Sequence, residues 1–384
     1  MEVKPYKLID IFENYDYLRK PLSSMERESF QGDYPYYGAQ GVIDHVQDYI
    51  CDGEYMLIAE DGENLMSRNQ PIAVIVDGKF WVNNHAHIVK TNNLASMKYI
   101  CYLLNSSDIT GFITGSAQPK LSQANLNKIK MLLPSIEYQE QVASILSAYD
   151  NLIEVNNKRI KVLEQMAENL YKEWFVRFRF PGHESVPFEN GLPTSWRKAR
   201  ITDFVSFLNG FAFKSEDYDD AGRYIVATIK NVQDGYFDLS NVERIDFLPT
   251  RMPQYCMLKK GDVIMSLTGN VGRVCIVSSD GCLLNQRVCK IESKYPLFAY
   301  LFFRQEAVFQ TLCNIAYGTA QLNLSPILTG RMRTVLPPEH LMACFDEKVS
   351  ALYEQIQSYR EQSEILIKQR DLLLPRLMSG KLEV

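Results

Sequence analysis

Residues 133–175 read LPSIEYQEQVASILSAYDNLIEVNNKRIKVLEQMAENLYKEWF, a Leu-Pro pair followed by a run free of proline and glycine. Apolar side chains fall at Val142, Leu146, Tyr149, Ile153, Ile160, Leu163, Ala167, Leu170 and Trp174. That alternation of fours and threes is the seam of a coiled coil. Asn156 is the polar residue in the seam, and a polar seam residue gives up stability to fix register. At ~1.5 Å per residue such a helix runs to ~60 Å, longer than the ~30 Å width of a small domain. It reads as a strut, and a strut of this kind needs a partner.

The partner lies in the same chain. Adding 203 to the seam positions gives Phe345, Val349, Leu352, Ile356, Tyr359, Ser363, Leu366, Arg370, Leu373 and Leu377, most of them apolar. The same offset carries Gly115-Ser116-Ala117-Gln118 onto Gly318-Thr319-Ala320-Gln321, Leu121-Ser122 onto Leu324-Ser325, and Leu133-Pro134 onto Leu336-Pro337. Several matches at one offset mean an internal duplication. The expected fold class is α+β: two mixed α/β domains separated by two long antiparallel coiled-coil helices, with a pseudo-twofold internal repeat. The boundaries follow as a first domain over 1–134, a long helix over 135–180, a second domain over 187–336, a second helix over 337–375, and a tail over 376–384. The second helix is expected to stop at Pro375, because a proline ring clashes with the preceding turn and offers no N–H.

A chain of 384 residues with 46% hydrophobic composition has material for more than one core. Met1 to Tyr6 has neither a basic start nor an apolar run, so no secretion signal is expected. No stretch approaches the ~20 apolar residues of a membrane span. The eight cysteines are scattered without a Cys-x-x-Cys pair, as befits reduced thiols in a cytoplasmic protein. The net charge of −5 argues against a simple basic DNA binder. Only residues 187–336 lean basic, with 17 basic against 14 acidic side chains, whereas 1–134 carries 12 against 16.

The first domain reads as short strands, at 53–59, 71–76 and 79–89, between Gly, Asp and Asn turns. The second repeats the plan, 261–266 answering to 53–59 and 285–291 standing in the place of 84–89. The catalytic inventory is mostly negative. No phosphate loop is present, Gly269-Asn270-Val271-Gly272 reads as a turn, and no carboxylates fall in the Asp…Glu-x-Lys pattern of a metal-dependent nuclease. His85 and His87 flank Ala86 and would face one side of a strand. A zinc site would need a further ligand that nothing singles out, so no metal and no cofactor are expected. Beside Asn83 and Asn84 these histidines read either as contacts to base edges, Asn being matched to adenine N6 and N7, or as a hydrogen-bonded strand end.

The repeated Gly-Ser/Thr-Ala-Gln loop offers close backbone approach and the side chains of Gln118 and Gln321, but its recurrence favours a structural turn or a phosphate contact common to both domains. Lys120 against Asn323 differ and are better candidates for readers. Tyr36 in the first domain, and Arg223, Lys230, Asn270 and Arg287 in the second, complete the DNA-binding candidates. Alternation along the strand sends one of Tyr36 and Tyr37 into the core.

Two variable units, each followed by Leu-Pro and a long helix, resemble the specificity subunit of Type I restriction–modification systems. The resemblance rests on Leu133-Pro134 through Gln141-Val142, Gly115 to Gln118, Asn169 to Phe175 and the Leu373-Leu374-Pro375-Arg376-Leu377-Met378-Ser379-Gly380-Lys381-Leu382 ending, and it covers essentially the whole chain. The second helix departs from the first where Pro338-Glu339-His340 replaces Ser135-Ile136-Glu137. It implies a non-catalytic chain that reads a bipartite, asymmetric double-stranded DNA target, one half per domain. It also implies assembly with two methyltransferase (M) subunits and with restriction (R) subunits, which bring the S-adenosylmethionine and ATP chemistry. An enzyme fused to readers lacks motifs and spare residues. A coiled-coil scaffold whose globular ends bind proteins or other ligands remains the alternative.

Overall fold

The computed structural model describes residues 2–115, 118–318 and 321–382. Two compact units divide the chain, Met1–Asn156 together with Gln362–Val384, and Asn157–Glu361. The division falls inside both long helices. The sequence boundaries assigned each helix to a segment of its own, but each unit takes half of both helices into its core.

In the first unit the strands are β1 (Lys4–Lys7), β2 (Phe12–Asn14), β3 (Gln31–Gly38), β4 (Gly41–Val46), β5 (Cys51–Asp52), β6 (Tyr55–Ala59), β7 (Ala73–Val76), β8 (Lys79–Val82), β9 (Ala86–Thr91) and β10 (Lys130–Leu133). They form two four-stranded sheets, ordered β2-β9-β6-β7 and β4-β3-β8-β5, and the pair β1-β10. The β3–β8 pair is parallel and all the others are antiparallel. A hairpin of β11 (Phe188–Glu189) and β12 (Leu192–Pro193) lies in the linker. The second unit then holds β13 (Arg197–Arg200), β14 (Ser206–Asn209), β15 (Tyr224–Ala227), β16 (Glu243–Ile245), β17 (Met257–Leu258), β18 (Val263–Ser266), β19 (Val274–Ile276), β20 (Cys282–Leu284), β21 (Val288–Glu292) and β22 (Arg333–Leu336). Their orders are β14-β21-β18-β19, β16-β15-β20-β17 and β13-β22, with β15–β20 parallel. Strand for strand this is the first unit again, and the duplication read from the spacing is a duplication of topology.

The first long helix spans Ile136–Tyr171 and continues through a wider turn at Lys172–Val176. Its start is anchored by Gln139, wholly buried, whose amide accepts from Ser96 N at 3.0 Å and donates to Pro134 O at 3.0 Å. The second spans Glu339–Met378. Within each unit the helices pack antiparallel. In the first, Tyr138 Oη donates to Leu377 O at 3.1 Å and Asp150 meets Arg370 at 2.6 Å. In the second, Tyr171, Trp174 and Phe175 pack on Phe345, with the Phe175 and Phe345 rings 4.9 Å apart and Phe298 closing the cluster. Every named seam side chain is buried or half-buried, as an apolar stripe between two helices requires.

Pro375 does not end the second helix, which continues to Met378. The proline lies in the last turns, where only one intrahelical bond is forfeited. Continuation buries Leu377 in the first unit's core and lets Pro375 O accept from Ser379 N at 3.1 Å. The cysteines are free thiols without disulfides, and burial pushes Cys101 and Cys289 up to about 12, far from thiolate reactivity. Among the described residues no helix is long and apolar enough to cross a membrane.

Asn156 is buried, and its Nδ2 donates to Gln362 Oε1 at 3.0 Å and Ser363 Oγ at 3.4 Å. Ser363 occupies the repeat position of Ile160, so the second helix is polar where the first presents its asparagine. Replacing Asn156 by alanine strands the Ser363 hydroxyl, a loss of about 1–3 kcal/mol. The expected result is a thermal midpoint lowered by a few degrees, read by calorimetry. An unchanged midpoint would mean that this pair contributes nothing to the seam.

Candidate nucleic-acid interface

At the same place in each unit, three loops are tied together by main-chain hydrogen bonds. In the first, Glu60 N donates to His85 O at 2.9 Å, Leu121 N to Glu60 O at 2.7 Å, and Gly62 N to Pro119 O at 3.2 Å. In the second, Leu267 N donates to Arg287 O at 2.9 Å, Leu324 N to Leu267 O at 2.8 Å, and Gly269 N to Leu322 O at 3.0 Å. The loops are those after β6 and β18, before β9 and β21, and the turns closed by Thr114–Lys120 and Tyr317–Asn323 bridges. Both turns begin on a glycine in the left-handed region, Gly115 at φ 85° and Gly318 at φ 120°. A Cβ there would stand 2.3 Å from Gln118 O and 2.2 Å from Gln321 O, so the repeated glycines are required by the turn itself. Ser116, Ala117, Thr319 and Ala320 lie outside the described residues.

This convergence gathers Asn83, Asn84, His85, Gln118 and Lys120 in the first unit, and Asn270, Arg287, Gln321 and Asn323 in the second. Asn84, His85, Gln118, Lys120, Asn270, Arg287 and Gln321 are exposed. Asn83 has a different task. It is 5% exposed, and its Oδ1 accepts from His85 N at 2.8 Å, holding the loop rather than facing outward. Asn323 is likewise engaged, accepting from Thr268 Oγ1 at 3.2 Å and donating to Gln321 O at 3.0 Å.

Other candidates fall elsewhere. Tyr36 is 1% exposed, packed with Val46 and Trp81, and its hydroxyl accepts from Leu22 N at 2.9 Å, so it is core rather than a base contact. Tyr37, its half-buried neighbour, packs on Phe80. His87 is fully buried, with Nδ1 2.7 Å from Asp16 Oδ2 and Nε2 2.9 Å from Leu121 O. The two histidines therefore do not share an accessible face, because β9 begins only at Ala86. Arg223 precedes β15 at the end remote from the loops, whereas Lys230 lies past the near end and pairs with Glu243 at 3.2 Å. Among the described residues no group of His, Cys, Asp or Glu is arranged to hold a metal ion.

Beneath the first unit's loops runs an ionic network. Arg19 Nη1 lies 2.5 Å from Glu60 Oε2, Lys120 Nζ 3.2 Å from Glu60 Oε1, and His85 Nδ1 2.7 Å from Asp61 Oδ2. Burial by itself raises the Asp16 carboxyl, but the His87 hydrogen bond and charge, the Ile88 amide and Arg19 outweigh it and hold Asp16 below the ordinary range. Glu60 is held low in the same way by Arg19, His87 and Lys120 against its own burial.

Sequence reasoning paired Asn285 with Asn84. The structure pairs it with Asn83, since Asn285 Oδ1 accepts from Arg287 N at 3.1 Å as Asn83 does from His85 N. Gln286 therefore answers to Asn84, and Arg287 to His85. Gln286 and Asp61 are members of the surface that the residue pattern does not single out, although aligning the two asparagines at an offset of 202 brings Gln286 in.

A family model described as the Type I restriction modification DNA specificity domain matches residues 1–165 and again 193–328. A putative type I restriction enzyme specificity subunit of Haemophilus influenzae is 27% identical over 68% of this chain, an alignment that spans 64% of that protein. The MjaIX specificity subunit of Methanocaldococcus jannaschii is 24% identical over 94% of this chain and 90% of its own length. The crystal structure of a Type-I restriction-modification system S subunit from M. genitalium superposes with a TM-score of 0.62, 13% identity, and coverage of 98% and 96%. The chain belongs to the Type I restriction–modification DNA specificity family, as a subunit that is itself non-catalytic and recognises the DNA target.

Because Asp16 and Glu60 are depressed, their contribution to stability is complete above the unfolded carboxylate range of about pH 4 and is lost as pH falls through their folded values. Asp16→Asn is expected to lower stability at pH 7 and to flatten its decline below pH 5, followed by urea midpoints across pH. Parallel declines in the two proteins would show that acid sensitivity arises elsewhere.

Proposed function

We propose that the chain reads a bipartite, asymmetric double-stranded DNA sequence, each domain supplying one half through its converging loops. The observation that carries this reading is a framework repeated hydrogen bond for hydrogen bond in both units while the exposed side chains on it differ. Asn84, His85 and Lys120 stand on one, Gln286 and Arg287 on the other. Main-chain scaffolds of this kind position a protein, and variable polar side chains distinguish bases.

Assembly with two methyltransferase subunits and with restriction subunits completes the function. The net charge of −5 leaves much of the phosphate attraction to partners. The first long helix also carries exposed apolar residues at Leu152, Val155, Val162 and Met166, spaced three, seven and four apart along one face. A second apolar stripe beside the seam supports docking of partner helices.

The lengths of the two helices, 36 and 40 residues, or ~54 and ~60 Å at ~1.5 Å per residue, then set the untouched spacer between half-sites. Inserting one heptad at matching places in both is expected to lengthen the spacer and keep both half-sites; methylation mapping that returned the old gap would refute the measuring role. Exchange of residues 195–336 for the corresponding unit of another member is expected to alter one half-site only. A change in both would contradict independent reading.

A further inference from the structure

The turns before β9 and β21 share three hydrogen bonds. Asn83 and Asn285 are each 5% exposed. Their main-chain N–H groups donate to Tyr37 O at 3.0 Å and Ala227 O at 3.2 Å, and their Oδ1 atoms cap the N–H two residues on. The carbonyls of His85 and Arg287 both accept at 2.9 Å from the neighbouring loop, and Gln286 N is fixed on Phe211 O at 2.9 Å. Each turn thus presents two exposed residues on a backbone held by several hydrogen bonds, which is what reproducible contact with a base edge demands.

The surroundings of those residues are not alike. In the first unit Asp61 takes His85 and Glu60 takes Lys120. In the second, the corresponding loop positions are Leu267 and Thr268, which carry no charge. Among the described residues no carboxylate pairs with Arg287 and no side chain accepts from its guanidinium. The substitution of two carboxylates by neutral residues leaves a planar guanidinium, five donors in a fixed fork, exposed on a rigid turn beside the exposed carboxamide of Gln286.

We infer that Arg287 specifies a guanine in the half-site read by the second domain, donating to O6 and N7 in the major groove, and that Gln286 contacts an adenine at the adjoining base pair. The pairing follows from the geometry of the groups: a guanidinium fork fits guanine O6 and N7, and a carboxamide fits adenine N6 and N7. The inference rests on the DNA-reading function proposed above. It goes beyond it in naming the residues and the bases.

The test uses the chain assembled with its methyltransferase partners. Target sequences are read by methylation mapping, and affinities by DNA binding over a range of salt, for the unaltered protein and for Arg287→Ala, Arg287→Lys and Gln286→Ala. Arg287→Ala is expected to relax one G·C position of one half-site and to weaken the cognate site about 10- to 100-fold, with the other half-site and spacer unchanged. Arg287→Lys keeps the charge and loses the fork, so it is expected to relax the same position. Gln286→Ala is expected to relax the adjoining A·T pair. If Arg287→Ala weakens every sequence equally and lowers the salt slope by about 1, while Arg287→Lys restores binding, Arg287 is a phosphate contact and the inference is overturned. An unchanged motif in the Arg287 variants overturns it as well. An unaltered complex that selects no sequence would overturn the DNA-reading function and this inference with it, and that outcome is separate from a failure of Arg287 alone.

Discussion

The antiparallel contact between the two long helices has to satisfy two cores with one pair of elements. Each compact unit owns the first half of one helix and the second half of the other, so neither globular part is complete without residues far away in sequence. The two halves of the contact solve the problem differently. The second unit's half is aromatic, built from Tyr171, Trp174, Phe175 and Phe345. The first unit's half is threaded with polar pairs, Asn156 with Ser363 and Gln362, and Asp150 with Arg370. Apolar packing supplies burial without direction, whereas paired polar groups in a seam tolerate one alignment only. Register is therefore specified by polar pairs in both halves, Glu164 meeting Arg360 at 2.7 Å in the second, where aromatic burial supplies most of the packing.

The same division of labour recurs at the loops. Main-chain donors and acceptors join Glu60, His85 and Leu121, and again Leu267, Arg287 and Leu324. Such bonds are indifferent to the side chains they carry, so a carboxylate-rich network and a neutral one stand on the same frame. In the first unit the network beneath the frame is buried and its carboxylates are stabilised by cations; in the second, Leu267 is part of the apolar core. The exposed ion pairs around either surface add little to stability.

Much of this was legible in the sequence. The seam spacing and the constant offset gave the duplicated topology and the paired helices, because heptad periodicity and repeated turns leave direct marks on residue order. The surface was legible only in part. Asn84, His85, Gln118, Lys120 and Arg287 could be named from their chemistry, but Tyr36 and His87 carry the same chemistry and are buried. Burial depends on which strand lies opposite, a fact of tertiary packing. Pro375 misled for a related reason: its cost inside a helix is real, and the burial of Leu377 beyond it outweighs that cost. The one-residue misalignment of Asn285 concealed Gln286, since two adjacent asparagines at 83 and 84 offer two pairings and only the hydrogen bonds choose between them.

The buried asparagine at the root of each turn has a consequence for how such a chain changes over generations. Because Asn83 and Asn285 support the backbone from beneath, the pair of residues displayed above them can be replaced while the main-chain bonds that carry the turn are kept. On the reading proposed above, recognition and folding then draw on separate positions, and new side chains at 84, 85, 286 and 287 can be explored while the main-chain framework that presents them stays intact.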